Sequence, residues 1–159
     1  MIAALAIVSC AVTSWLRLAA GAWSPFVPWL GLAWTLLFAR HSRRAAFGLL
    51  AVLLGLIDGL VAPAPWTIWP LLQVLIGTAA FATRRVLPVR GLLGELAIGA
   101  AAASIARALA LPFRPMELQL PADPALSWIL GAASTGVATS VLVSLSHHWV
   151  ALRMRLQKV

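Results

Sequence analysis

The chain has 159 residues, of which 62% are hydrophobic and 10% charged, with a formal net charge of +8 and a mean hydropathy of +0.97. A soluble domain of this size has no interior large enough for that apolar share, so the composition excludes an ordinary water-soluble fold and points to the membrane. The charge excludes nucleic acid as a partner class, because the basic groups stand at the ends of apolar runs and do not gather on one polar face.

Crossing the hydrocarbon takes about 20 residues of helix with every backbone polar group paired inside the segment. Six segments come near that length, and they predict an all-α integral membrane protein, a six-transmembrane-helix bundle in a single domain, 1–159. The first helix covers about 1–19. It opens at Met1 with no charge before Arg17 and lacks both the basic start and the small-residue cleavage site of a signal peptide, which predicts a retained helix. Cys10, inside it, is the lone cysteine and can form no intrachain disulfide; it reads as a small buried apolar residue.

The second helix, 25–39, is short, and Pro25 and Pro28 suit its first turn. A helix this short must cross with little tilt, thin the bilayer or be shielded by its neighbours. The third (45–61) and fourth (66–83) are separated by Ala62-Pro63-Ala64-Pro65, where two prolines forbid helix continuation. The fifth (91–111) and sixth (125–152) are joined by residues 112–124. Four prolines make that segment a stiff loop, although the polar–apolar alternation of Glu117–Leu120 also suits an extended contact with another protein or the membrane surface.

Orientation follows from the basic residues, which collect in cytoplasmic loops. Arg40, Arg43, Arg44, Arg84, Arg85, Arg90, Arg153, Arg155 and Lys158 fall on one side of the six-span layout, and Arg17 and Arg114 on the other. Both termini are therefore expected in the cytoplasm. Trp15, Trp23, Trp29, Trp66, Trp69, Trp128 and Trp149 lie near span ends, where an indole suits the headgroup layer, while Trp34 lies well inside.

Three charges fall within the spans, and charges at membrane depth are functional candidates by default. Asp58 and Arg107 lie at similar depth near the outer ends of the third and fifth helices, which suggests an interhelical ion pair. Snorkelling of each to its own interface is the competing expectation. Glu95, near the inner end of the fifth helix, is expected to link locally to the basic loop before it. No metal, cofactor or catalytic set is expected: the three histidines are His41 and the adjacent His147-His148, which point about 100° apart on a helix. Ser134, Thr135, Thr139, Ser140, Ser144 and Ser146 form a polar seam on the sixth helix, best read as packing. Gly55 and Gly59 on the third helix, Gly99 on the fifth and Gly136 on the sixth mark faces where backbones can approach closely, within the bundle or against a partner helix.

Gly55-Leu56-Ile57-Asp58-Gly59-Leu60, followed by the proline loop and a helix ending in Arg84-Arg85, resembles MreD, the small membrane subunit of the bacterial rod-shape system. The likeness covers the general layout and specifically residues 48–90. It departs from the family's usual Pro-Leu-Gly after the turn, which reads Pro65-Trp66-Thr67 here. The resemblance implies a non-enzymatic scaffold in the bacterial inner membrane. Its expected partners are membrane lipid, an MreC-like single-span protein and, beyond it, an MreB-like filament and the peptidoglycan synthases. MreD-like bundles are also similar in layout to the substrate-binding subunits of energy-coupling-factor vitamin transporters, which implies the alternative of a small-molecule binding subunit with a pocket near Asp58, Arg107, Trp66 and Trp69.

Overall fold

The computed structural model describes residues 2–20, 27–41, 44–61, 65, 67–83, 91–113 and 124–156. These form six α-helices and no strand: α1 (Ile2–Ala20), α2 (Leu30–His41), α3 (Arg44–Gly59), α4 (Ile68–Thr83), α5 (Leu92–Ala110) and α6 (Pro124–Leu156), with a 3-10 turn at Leu111–Phe113 closing α5. Three helical stretches are long and apolar enough to cross a membrane: Ile2–Ala20, Leu92–Phe113 and Ala125–Trp149. The other three are shorter apolar helices. The 12 residues of α2 extend only about 18 Å and the 16 each of α3 and α4 about 24 Å, against a hydrocarbon layer of about 30 Å.

The second helix departs from expectation at its start. It begins at Leu30 and not at residue 25, with Leu30 N donating to Pro28 O (3.1 Å) and Ala33 N to Trp29 O (3.1 Å). Proline at 28 thus sits just before the helix. The other boundaries fall near those read from the sequence, and α6 continues past 152 to Leu156.

Shortness and position explain one another in α2. Every residue from Leu32 to Ala39 is buried, including Thr35, and α2 touches each of the other five helices. A helix apolar on all sides belongs at the centre of a fold. On one side of it Trp29, Leu32 and Leu36 pack with Trp69, Leu72 and Ile76 of α4 and the alanines 102, 103, 106 and 110 of α5. On the other, Trp34, Leu37 and Phe38 pack with Ala6 and Cys10 of α1 and Phe47, Ala51 and Leu54 of α3. α2 is the axis, and α5 with α6 form the most extensive helix pair around it.

Small residues set the helix spacing. A Cβ on Gly55 would fall 2.5 Å from Pro70 Cα and 2.7 Å from Pro70 N, so α3 rests directly on the first turn of α4. Proline is tolerated there because a first-turn N–H has no partner within the helix. A Cβ on Gly99 would meet Thr139 Oγ1 at 2.5 Å and Gly136 Cα at 2.9 Å, and one on Gly136 would meet Leu96 O at 2.6 Å. Gly55, Gly99 and Gly136 are therefore spent on contacts inside the chain, and Gly59 is buried. Their faces are closed to a partner helix. Gly91 opens α5 at φ 104°, a conformation that favours glycine, and accepts at its carbonyl from Glu95 N (3.2 Å).

Candidate functional site: a buried polar network around Asp58

Asp58, in the last turn of α3, is 6% exposed and its carboxyl group faces inward. Its position in the helix aims it at the crossing of α1, α2 and α4. From α1, Ser14 Oγ donates to Asp58 Oδ1 (3.2 Å), and the Cys10 thiol, one turn earlier, reaches the same oxygen at 3.5 Å. From α4, the Gln73 side-chain amide lies 2.8 Å from Asp58 Oδ2. The far end of that amide lies 2.8 Å from Thr35 Oγ1 of α2, and Thr35 Oγ1 is also 2.8 Å from Gly31 O. Four helices thus meet at one carboxyl group. The spacing of Cys10 and Ser14, four residues apart, puts both on one face of α1. Without a side chain, Gly31 leaves the room in α2 that Asp58 occupies, since a Cβ there would lie 2.2 Å from Oδ2.

Arg17 continues the face of α1 by three residues, within electrostatic reach of Asp58 and without direct contact. Its Nε donates to Val27 O (3.2 Å), and its guanidinium carbon lies 4.7 Å from the Trp29 ring centroid. The guanidinium carbon of Arg107, from α5, lies 5.6 Å from the same centroid. Trp29 also packs edge-on with Trp69, at 4.6 Å between centroids and an interplanar angle of 84°. Such cation–π and edge-to-face contacts exploit the negative ring face and positive ring edge. Trp69 Nε1 is buried and has no hydrogen-bond partner among the described residues.

The expected ion pair between Asp58 and Arg107 does not form. Arg107 Nη1 donates to Ser127 O on α6, and the guanidinium lies against Gly131, at 3.1 Å from where a Cβ there would stand. Similar depth does not fix direction around a helix axis, and the charge nearer Asp58 is Arg17. Glu95 is buried and forms a nonlocal ion pair with Arg40 at the end of α2, while the loop before α5, to which a local link was expected, lies outside the described residues. Cys10 is buried as expected, but its thiol has polar partners, Asp58 and, at 3.9 Å, Leu54 O.

Two tryptophans placed at span ends by sequence, Trp29 and Trp69, are core residues, at 8% and 4% exposure. Trp15 and Trp149 are exposed, Trp128 is half-buried, and Trp23 and Trp66 lie outside the described residues. Trp34 is buried and donates from Nε1 to Ser9 Oγ (2.8 Å). The hydroxyl seam of α6 divides in two ways. Thr135 and Thr139 donate to their own helix at Gly131 O and Thr135 O, whereas Ser140 donates to Leu92 O of α5 (2.9 Å) and Thr135 Oγ1 accepts from Trp29 N (3.2 Å). His147 and His148 are exposed, and no three His, Cys, Asp or Glu side chains converge on a metal position among the described residues.

Gln73, Thr35, Ser14 and Arg17 were not singled out from the sequence as partners of Asp58. Gln73 carried a signal, since an amide in the middle of an apolar helix must find a partner or leave a polar group unpaired. Compared with protein-family models, with curated proteins and with solved structures, the chain matches none.

Proposed function

We propose that the chain is a non-enzymatic scaffold subunit of the bacterial rod-shape system, of the MreD kind, crossing the inner membrane six times with both termini in the cytoplasm. It binds an MreC-like single-span protein, and through it helps organise peptidoglycan synthesis with an MreB-like filament and the wall synthases. The observation that carries this reading is how the deep polar side chains are used. Asp58, Gln73, Thr35 and Ser14 bind one another, Glu95 binds Arg40, and Ser140 binds the backbone of α5. An interior spent on holding its own helices together suits a part that works by its surface. That surface includes exposed apolar faces such as Leu5, Val8, Val12 and Trp15 of α1; the proline-rich segment is the second contact in this reading, and its residues 114–123 lie outside the described residues.

Six spans fit the shortest helix because α2 touches all five others and is buried from Gly31 to Ala39, so that its neighbours and not its own length shield it from lipid. At 33 residues, α6 extends about 50 Å and would carry Arg153 and Arg155 beyond the hydrocarbon on the cytoplasmic side. Affinity purification of the tagged chain from native membranes in mild detergent tests the proposal: an MreC-like protein should accompany it.

One arrangement favours a second reading, the substrate-binding subunit of a small-molecule transporter. Arg17 and Arg107 both lie against Trp29, which packs edge-on with Trp69, whose N–H has no partner among the described residues; a cluster of cations and indoles at this end of the bundle suits an acidic ligand. Saturable binding of a vitamin-sized carboxylate to the purified chain would favour it.

A further inference from the structure

The polar network at Asp58 has a proton count that its distances constrain. Thr35 has one hydroxyl proton and two neighbours at 2.8 Å, Gly31 O and the near end of the Gln73 amide. Gly31 O is a carbonyl and can only accept. A threonine inside a helix donates to the carbonyl four residues back, as Thr78, Thr135 and Thr139 do in this chain at 2.6 to 2.9 Å. With its proton on Gly31 O, Thr35 Oγ1 must accept from Gln73, and the end of the amide facing Thr35 is then its NH2. The two ends of a glutamine amide exchange by a 180° turn about the last side-chain bond, so the hydrogen-bond network decides which faces which. The carbonyl end of Gln73 then stands 2.8 Å from Asp58 Oδ2, and two acceptors at that distance need a proton between them.

We infer that Asp58 is a proton-binding site inside the bundle, holding its side chain as a neutral carboxylic acid that donates from Oδ2 to the Gln73 carbonyl. Oδ1 is then the carbonyl oxygen of the acid and accepts from Ser14 and Cys10. Every member of the chain Asp58–Gln73–Thr35–Gly31 has a partner of the right kind. The ionised alternative turns the Gln73 NH2 to Asp58 and uses the Thr35 proton on Gln73, which leaves Thr35 Oγ1 and Gly31 O as two acceptors in contact. Neutrality also avoids placing a bare carboxylate among apolar helices.

The groups in contact with the carboxyl agree with this assignment, and Arg17, the cation within electrostatic reach, opposes it without touching the carboxyl. From α1 come Cys10, a neutral thiol donor, and Arg17, whose guanidinium is directed to Val27 O and the Trp29 ring. From α2 come Gly31 and Thr35, from α4 Gln73, and Arg107 of α5 lies by Trp29 with its Nη1 on Ser127 O. Because the amide must turn when the proton leaves, proton occupancy at Asp58 is read by Gln73 of α4 and, through it, by Thr35 of α2. The device is separate from the scaffold and transport readings, and stands or falls without them.

Infrared difference spectroscopy on the full chain in detergent tests it. The wild-type protein near neutral pH should show the C=O band of a protonated carboxylic acid, shifted in D2O and lost in Asp58→Asn, whose amide can make the same donor and acceptor contacts. The chain has two aspartates, Asp58 and Asp123. If Asp58→Asn does not fold, [4-13C]aspartate in the Asp123→Asn chain leaves one labelled side chain, and the isotope shift of the acid band assigns it. A wild-type spectrum with carboxylate bands only, or an acid band that survives Asp58→Asn or ignores the label, would overturn the inference.

Discussion

Gly31 and Asp58 occupy what would be one side chain's space: a Cβ at position 31 would lie 2.2 Å from Asp58 Oδ2, 2.8 Å from its Cγ and 3.0 Å from Cys10 Sγ. Gly31→Ala should therefore push Asp58 off Ser14 and Gln73, lowering stability by about 1–3 kcal/mol, as overpacking of a filled site does. Gly48→Ala is the control, because nothing lies within 4 Å of that Cβ. It should be neutral or stabilising by up to about 1 kcal/mol from helix propensity. Thermal unfolding in detergent reads both, and equal midpoints for the two variants would refute the close approach.

Reversing the charges at Asp58 and Arg107 together should rescue nothing. Asp58 is held by Cys10, Ser14 and Gln73, and Arg107 Nη1 by Ser127 O, so the Asp58→Arg, Arg107→Asp double variant places each charge among the wrong partners. Its yield of monodisperse protein should be no better than that of the worse single variant. Recovery towards wild type would mean that the two residues meet.

The link between Arg40 and Glu95 should be measurable as a coupling energy. Glu95 is buried with a side-chain exposure of 8% against 31% for Arg40, so removing the arginine strands a carboxylate. A double-mutant cycle of Arg40→Gln and Glu95→Gln should give about 1–3 kcal/mol, with little loss in high salt because one partner is buried. Coupling below a few tenths of a kcal/mol would show the pair to be incidental.

Glycines at the helix crossings should matter for the chain before they matter for any complex. In Gly55→Leu the new side chain would stand in the backbone of Pro70, and in Gly136→Leu in the carbonyl of Leu96. Both should reduce the amount of folded protein in the membrane, with loss of any partner following from that. Leu5→Ala, on the exposed side of α1, should leave folding unchanged. Normal folding of Gly55→Leu with selective loss of a partner would return that glycine to an external surface.

The elements were largely legible because the physics that sets them is local. Arginine clusters and prolines punctuate the apolar runs, and most of the helix ends lie within a few residues of those marks. The second helix was legible as short, with shielding by its neighbours one of three ways to accommodate that, but its start at Leu30 depended on how Pro28 and Trp29 pass into the turn. The site was legible only in part. Asp58 stood out as a charge at depth, whereas its partners are set by rotation about helix axes. Pairing by depth chose Arg107, while the packing of Gly31 against Asp58 and of Gly55 against Pro70 turns Asp58 to Ser14 and Gln73. Trp29 was drawn inward for a related reason: beside Arg17 and Arg107 its indole face is a partner and not only an interfacial anchor, and Trp69 packs edge-on with it.

The scaffold reading is tested most directly by quantitative mass spectrometry of the tagged chain purified from its native membrane. It predicts an MreC-like single-span protein in near-stoichiometric amount, retained through a second column and depleted when the 112–124 loop is replaced by a Gly-Ser segment of equal length while the chain still folds. Recovery of the folded wild-type chain without such a partner, together with saturable binding of a vitamin-sized ligand, would contradict it.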